Sequence, residues 1–296
     1  MNIVGKRKIF FTIPAILIVI GIVCMAVFGF NLDIDFSGGT EINIDMVDAN
    51  GKAVAFDNDE VGKFVAESSG HAVSTVQKVD KTGVMLRFTD YFTDDEGAAV
   101  KTAIAEKYGV ALDSISVSSV SATIGSEMVG QSIILCIITV ILMLAYITIR
   151  FEFRFGVCSV VALVHDVLIM LSFYAVFKIP VNTSCIAAIL TIIGYSINAT
   201  IVVFDRIRES MKLANRKTDI EEVANSSILS TITRSINTSI TTLLTIVLLH
   251  IFVPSIQDFT LPIIVGIVAG AYSSIFVAGP LWALWKTGGK KKAEVK

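Results

Sequence analysis

Hydrophobic positions along this chain fall into two regimes with different periods. Six stretches run uncharged or nearly so: Ile9–Phe30, Met128–Ile149, Phe155–Phe177, Ile179–Phe204, Ser235–Gln257 and Phe259–Trp285. Each is long enough to cross a bilayer as a helix, which takes about 20 residues. His165 and Asp166 interrupt the third, and His250 lies in the fifth. Between the first and second stretches, Asn31–Glu127 is polar and its apolar residues change spacing. Ile42, Ile44 and Met46 alternate within Glu41–Val47, the period of a half-buried strand. Val61, Phe64 and Val65 share one helical face within Asp57–Glu67. Ala72–Val79 and Val84–Phe88 flank Lys81-Thr82-Gly83 as a hairpin. Thr93-Asp-Asp-Glu96 is a capping box that opens a second helix with Val100, Ile104 and Tyr108 inward and Gly109 as its stop. Ser114–Val120 supplies a last strand. The order βαββαβ is that of a ferredoxin-like split motif.

The expected fold class is therefore a multi-pass α-helical membrane protein of six transmembrane helices plus one exterior α+β ferredoxin-like domain. Its expected divisions are 1–30, tail and first helix; 31–127, exterior domain; 128–285, five helices with a cytoplasmic loop at about 205–234; and 286–296, a basic tail. Composition agrees: the chain is 54% hydrophobic and only 17% charged, with mean hydropathy +0.75, where a soluble domain carries about a quarter charged residues. Lys6, Arg7 and Lys8 precede the first stretch, as in a signal peptide. Its apolar run is too long and no small-x-small cleavage site follows, so a retained anchor is expected.

Charge sets the orientation. Lys and Arg number 3 in the N-terminal tail, 2 in Arg150–Arg154, 6 in Asp205–Arg234 and 5 in the C-terminal tail. The opposite short loops hold one near Lys178 and none around Pro254–Asp258. The positive-inside rule then puts both termini in the cytoplasm. The formal net charge of −2 conceals two populations, because Asn31–Glu127 has 17 acids against 7 bases and the remainder has 17 bases against 9 acids. Cys24, Cys136, Cys158 and Cys185 all fall in spans and read as small apolar packing residues. His71, the exterior histidine, reads as solvated at a strand edge.

Polar residues at membrane depth are the candidate chemistry. Asp166 lies about 16 Å along the third span by the helical rise, with His165 beside it. It is either a proton-relay or switch site, or a protonated Asp bonded to a neighbouring helix as structural glue. In the fourth span Ser196, Asn198 and Thr200 precede Asp205, Arg206, Arg208 and Glu209. Asn198 lies nearly on the face of Asp205 and about 10 Å deeper, a candidate contact surface for a partner. In the fifth, Arg234, Thr238, Thr241 and Thr245 share a face with Asn237 at its edge. Their hydroxyls either permit close packing or, with Arg234, await an anionic partner. Gly266 and Gly270 form a small-xxx-small pattern that lets two backbones approach. Trp282 and Trp285 fit an interfacial aromatic belt. No phosphate-cradling loop, CxxC or HExxH motif is present, which points away from an enzyme. Gly38-Gly39 reads as a tight turn.

The segments DIDFSGGTE, RFEFRFGVCSVVALVHDVLI, NTSCIAAILTIIGYSINATIVVFDRIRE, TRSINTSITTLL and GIVAGAYSSIFVAGPL together resemble the SecD/SecF family of the resistance-nodulation-division (RND) superfamily, in its smaller SecF-type subunits. The resemblance implies half of an RND-type bundle in the bacterial cytoplasmic membrane, pairing with SecD. It implies work beside the SecYEG channel on late-stage export of preproteins, among membrane lipids and with no nucleic acid or organic cofactor. The energy implied is a proton or sodium gradient. Arg234 matches the family's arginine of the fifth span, while Asp205, Arg206, Arg208 and Glu209 preserve the exit of the fourth. Family members carry Asn-Asp-Thr where this chain has Asn198-Ala199-Thr200, and alanine binds no proton. Coupling here is lost, relocated or supplied by the partner's carboxylate, or the residue is a substitution. A stand-alone RND-type lipid or small-molecule exporter acting as a homo-oligomer is the alternative, and a scaffold without a transport cycle a third. The single small exterior domain argues against the exporter, and the retained Asp166, Asp205 and Arg234 argue against the scaffold.

Overall fold

The computed structural model describes residues 2–294 except 49–50, 80–81, 216–217 and 254–255, with side chains described as far as 288. The chain divides into two compact units, Leu32–Ser132 and the combination of Met1–Asn31 with Ile133–Lys296.

The smaller unit is an antiparallel sheet of β1 (Gly39–Asp45), β2 (Val73–Val79), β3 (Gly83–Phe88) and β4 (Ile115–Val120) in the order β2-β3-β1-β4. This is the ferredoxin-like arrangement that the βαββαβ pattern predicts. Ile42 faces Leu86 on one side and Val117 on the other, so β1 is the central strand. Ile42, Ile44, Val84, Leu86 and Phe88 are buried against Val61 and Val65 of α3 (Asn58–Ser69) and Val100 and Ile104 of α4 (Asp94–Tyr108). Asp57 caps α3 through the amides of Asp59 and Glu60, and Gly70 ends it in the left-handed conformation. The Thr93–Glu96 capping box forms as expected, and Gly109 stops α4 at φ 63°. Those bonds to Thr93 hold the Glu96 carboxyl below its ordinary pKa. Lys81, in the expected hairpin turn, lies outside the described residues.

Three features of this unit differ from the sequence reading. A single helical turn, α2 (Ile34–Ser37), precedes the glycines. Gly38 takes φ 74°, and a Cβ there would sit 2.8 Å from the Ala122 backbone. His71 is not freely solvated: its Nδ1 lies 3.0 Å from Asp90 Oδ2 and its ring rests on Phe92. Third, the sheet face opposite the helices carries a largely buried charge cluster. Arg87 Nε donates to Glu41 Oε2 (2.9 Å) and its Nη2 to Asp33 Oδ2 (3.1 Å). Arg87 and Glu41 are register partners on β3 and β1. Burial raises the Asp33 carboxyl above its ordinary pKa even though Arg87 pulls it down.

Among the described residues six helices are long and apolar enough to cross a membrane. They are α1 (Arg7–Phe28), α5 (Ala122–Arg150), α6 (Phe153–Phe177), α7 (Thr183–Leu213), α8 (Ile220–Phe252) and a last span. That span is α9 (Gln257–Ser273), a π-helical turn at Ser274–Ala278 and α10 (Gly279–Glu294). Buried residues concentrate in α6, α7 and the last span, while α1, α5 and α8 leave most apolar side chains uncovered. Two expectations need correction. The segment at about 205–234 is not mainly a loop, because α7 runs on to Leu213 and α8 begins at Ile220. Loss of apolar character marks the bilayer exit and not the helix end, since Arg, Glu and Lys are good helix formers. Trp282 is no interfacial side chain: it is 1% exposed, stacks on Phe155 at 4.8 Å and its Nε1 lies 3.4 Å from Glu152 Oε1. Trp285 is the partly exposed one. Cys158 and Cys185 are buried and all four cysteines are free.

Arg87→Met leaves two largely buried carboxylates without their cation, and is expected to cost about 3 kcal/mol, read as lowered amide-exchange protection of β1 and β3. A carboxyl with a raised folded pKa binds a proton on folding, so its contribution is present at acid pH and lost as pH rises through that pKa. Asp33→Asn should therefore abolish part of the stability gained on mild acidification, measured as thermal unfolding against pH; an unchanged profile would refute the assignment.

Candidate functional site

Asp166 is completely buried at the middle of α6. A carboxyl group there has no water to solvate it, so its acceptors must be met by donors from other helices. Ser196 of α7 donates from Oγ to Oδ2 at 2.5 Å, and Ser273 of α9 donates to the same oxygen at 2.9 Å. His165 Nδ1 lies 2.9 Å from Oδ1. Adjacent helical positions point about 100° apart, yet the ring swings back to its neighbour instead of seeking a separate partner. His165 Nε2 is buried with no hydrogen-bond partner among the described residues. The imidazole stacks near the Tyr272 ring at 6.3 Å, and the Tyr272 hydroxyl donates to the Phe10 carbonyl of α1. Three helices, α6, α7 and α9, thus converge on one carboxyl group, and Tyr272 ties α9 to α1.

Glycines make that convergence possible. A Cβ on Gly266 would collide with Ile192, and one on Gly270 would lie 3.1 Å from Ser196 Cβ. The i, i+4 glycines of α9 therefore seat on the i, i+4 pair Ile192 and Ser196 of α7. This close approach brings Ser273, three residues past Gly270, to Asp166.

Asn198 on α7 points elsewhere. Tyr195, Asn198, Ala199 and Val202 line a cavity of about 140 Å³ with Arg234 and Thr238 of α8. This face lies about 110° around α7 from Ser196. Thr200 is buried on the Ser196 side and takes no part in the cavity. Asn198, Arg234, Asn237, Thr238 and Thr241 are exposed. Thr238, Thr241 and Thr245 return their hydroxyls to backbone carbonyls of the preceding turn, so the threonines are internally satisfied. Among the described residues no carboxylate pairs with Arg234. At the helix extension Asp205 is exposed, Arg206 pairs with Glu209 at 2.7 Å and Arg208 donates to the Arg150 carbonyl. These arginines serve contacts within the chain.

Sequence reasoning singled out Asp166, His165 and Ser196 but did not connect Ser273 with them. Its signal was faint: a Ser-Ser pair in the otherwise apolar run of the last span. Arg87, Asp33 and Glu41 were likewise missed, because register brings two of them together across β1 and β3.

Residues 100–288 match the family described as protein export membrane protein SecD/SecF, C-terminal. The chain is 34% identical over 295 residues to protein translocase subunit SecF of Alicyclobacillus acidocaldarius, covering 99% of this chain and 95% of that one. It is 35% identical to protein translocase subunit SecDF of Bacillus subtilis, covering 95% of this chain but 38% of that longer protein. The crystal structure of SecDF from Thermus thermophilus, described as a translocon-associated membrane protein, superposes with a TM-score of 0.84 at 32% identity. That match covers 97% of this chain and 39% of that one.

Gly266→Leu is expected to force α9 from α7 and lower stability by about 1–3 kcal/mol. The loss should appear in thermal unfolding in detergent together with weakened exchange protection around Ser196 and Ser273. A variant as stable as the parent would refute the seating of α9 on Ile192.

Proposed function

The chain belongs to the SecD/SecF protein-export membrane family, and on that premise we propose that it is a SecF-type subunit paired with a SecD-type half. In this reading it lies in the cytoplasmic membrane with both termini inside and assists preproteins leaving a SecYEG-type channel. The observation that carries the reading is the uncovered polar face of α7 and α8. Asn198, Ala199, Arg234 and Thr238 surround a cavity that this chain alone does not close, and Arg234 has no carboxylate partner among the described residues. A charge at membrane depth faces the bundle interior or a polar cavity and finds a counter-charge. A second six-helix half supplies both. The relative in which the matched region is 38% of a longer SecDF chain supports such a half.

Gradient use follows from the same face. Moving one elementary charge across 100 mV yields about 2.3 kcal/mol, enough to bias two orientations of an exterior domain. Ala199 has no proton to exchange, so a carboxylate facing Arg234 from the partner carries any coupling at this cavity. The threonine seam lines this face without titrating, while Arg206 and Arg208 keep their contacts within the chain.

Affinity purification of the full chain from native membranes should recover a SecD-type protein in near-equal amount; homo-oligomers alone would favour a self-sufficient exporter. In proteoliposomes of the complex, Ala199→Asp should alter the dependence of preprotein release on a proton or sodium gradient. Identical gradient dependence in the alanine and aspartate forms would remove position 199 from the coupling site.

A further inference from the structure

The Asp166 cluster is separate from the cavity at Ala199 and has a composition of its own. Its carboxyl group receives two hydroxyl donors on one oxygen and lies 2.9 Å from an imidazole nitrogen on the other. Its ion-pair partner among the described residues is His165. The other charged groups on the packed elements lie far from it along their helices. At the start of α6, Glu152 meets Lys286 of α10 and Arg154 lies over the Trp285 ring, about 21 Å and about 18 Å along the helix from Asp166. Arg7 at the start of α1 meets Glu221. On α7 the nearest is Asp205, about 14 Å beyond Ser196. On α9, Asp258 bonds Asn182, about 22 Å before Ser273. The π turn carries no charge, and Tyr272 directs its hydroxyl to Phe10.

We propose that Asp166 and His165 form an intramembrane proton-binding dyad in this chain, loaded at the buried, unpartnered Nε2 of His165. In the empty state Nδ1–H donates to the ionised carboxylate. A proton captured at Nε2 makes the imidazolium, and the Nδ1 proton then passes to Oδ1. The result is a neutral carboxylic acid and a neutral imidazole protonated at Nε2, with one proton gained overall.

Loading changes how three helices are tied. Hydrogen bonds to an ionised acceptor are about twice as strong as those between neutral groups. The Ser196 and Ser273 bonds therefore weaken when Asp166 is neutral, loosening α7 and α9 from α6. Ser273 immediately precedes the π turn Ser274–Ala278, a backbone register that concentrates at functional sites. The hold on that turn is what the proton regulates. The ligand is a proton and not a metal ion, because no group of three His, Cys, Asp or Glu side chains gathers among the described residues. Each gap around the carboxylate is already a hydrogen-bond length.

This goes beyond the partner reading and is measured without export, so either can fail alone. The full chain, purified into lipid nanodiscs, is titrated by infrared difference spectroscopy and by amide exchange of residues 273–278. The expected result is a carboxylic-acid band that grows on acidification with falling protection of the π turn. Asp166→Asn should lose the band and make protection pH-independent. His165→Gln should keep the band and move its midpoint. A band unaffected by Asp166→Asn overturns the proposal, as does the same spectral change produced by sodium at constant pH. If Asp166→Asn does not fold, Ser273→Ala keeps the carboxyl group but removes one donor. An unmoved midpoint in that variant is equally fatal.

Discussion

A carboxyl group in the middle of an apolar helix bundle must be hydrogen-bonded, and Asp166 finds its donors only because three helices close on it. That constraint organises the membrane unit. Gly266 and Gly270 allow α9 to lie against Ile192 and Ser196, which sets Ser196 and Ser273 on one oxygen. Lipid gives no hydrophobic drive for helices to associate. Close packing around small residues and the shared carboxyl group therefore hold α6, α7 and α9 together. The same helices carry the buried residues of the unit, while α1, α5 and α8 present apolar side chains outward.

Helix α7 consequently serves two sites with different chemistry. One side is internally complete, with Ser196 donating to Asp166. About a third of a turn away, Asn198 and Ala199 border a cavity with Arg234, which has no carboxylate partner among the described residues. A polar face so placed is incomplete without an adjoining half, and membership in the SecD/SecF family gives that half a chemical identity. Ala199 makes the division sharper: α7 brings no carboxylate to the open cavity, whereas the closed cluster holds one from α6.

In the smaller unit charge has a different task. Arg87 answers Asp33 and Glu41 on the sheet face away from the helices. With one cation between two largely buried carboxylates, the cluster fixes the chain leading into β1 against the centre of the sheet. The turn at Gly38 then passes close to the Ala122 backbone, which excludes a side chain.

Local chemistry was legible wherever one residue decides one structure. Apolar runs gave six spans, alternation gave β1, and the Thr93–Glu96 box and Gly109 gave both ends of α4. The resemblance carried by dispersed motifs led to the family, including the unusual Ala199. Less legible were helix ends beyond the bilayer, where α7 and α8 continue through charged residues, and Trp282, whose amphipathic ring suits an interface as well as a core. The sequence by itself determined the spans, the order of strands and helices in the smaller unit and which polar residues fall within the spans, because these follow from length, period and transfer energy. Only the tertiary structure decided that Ser196 and Ser273 answer Asp166, that Thr200 and Ala199 part company, and that Arg87 joins Asp33 and Glu41. Those partners are far apart in sequence, and a hydrogen bond is directional, so backbone packing has to select them.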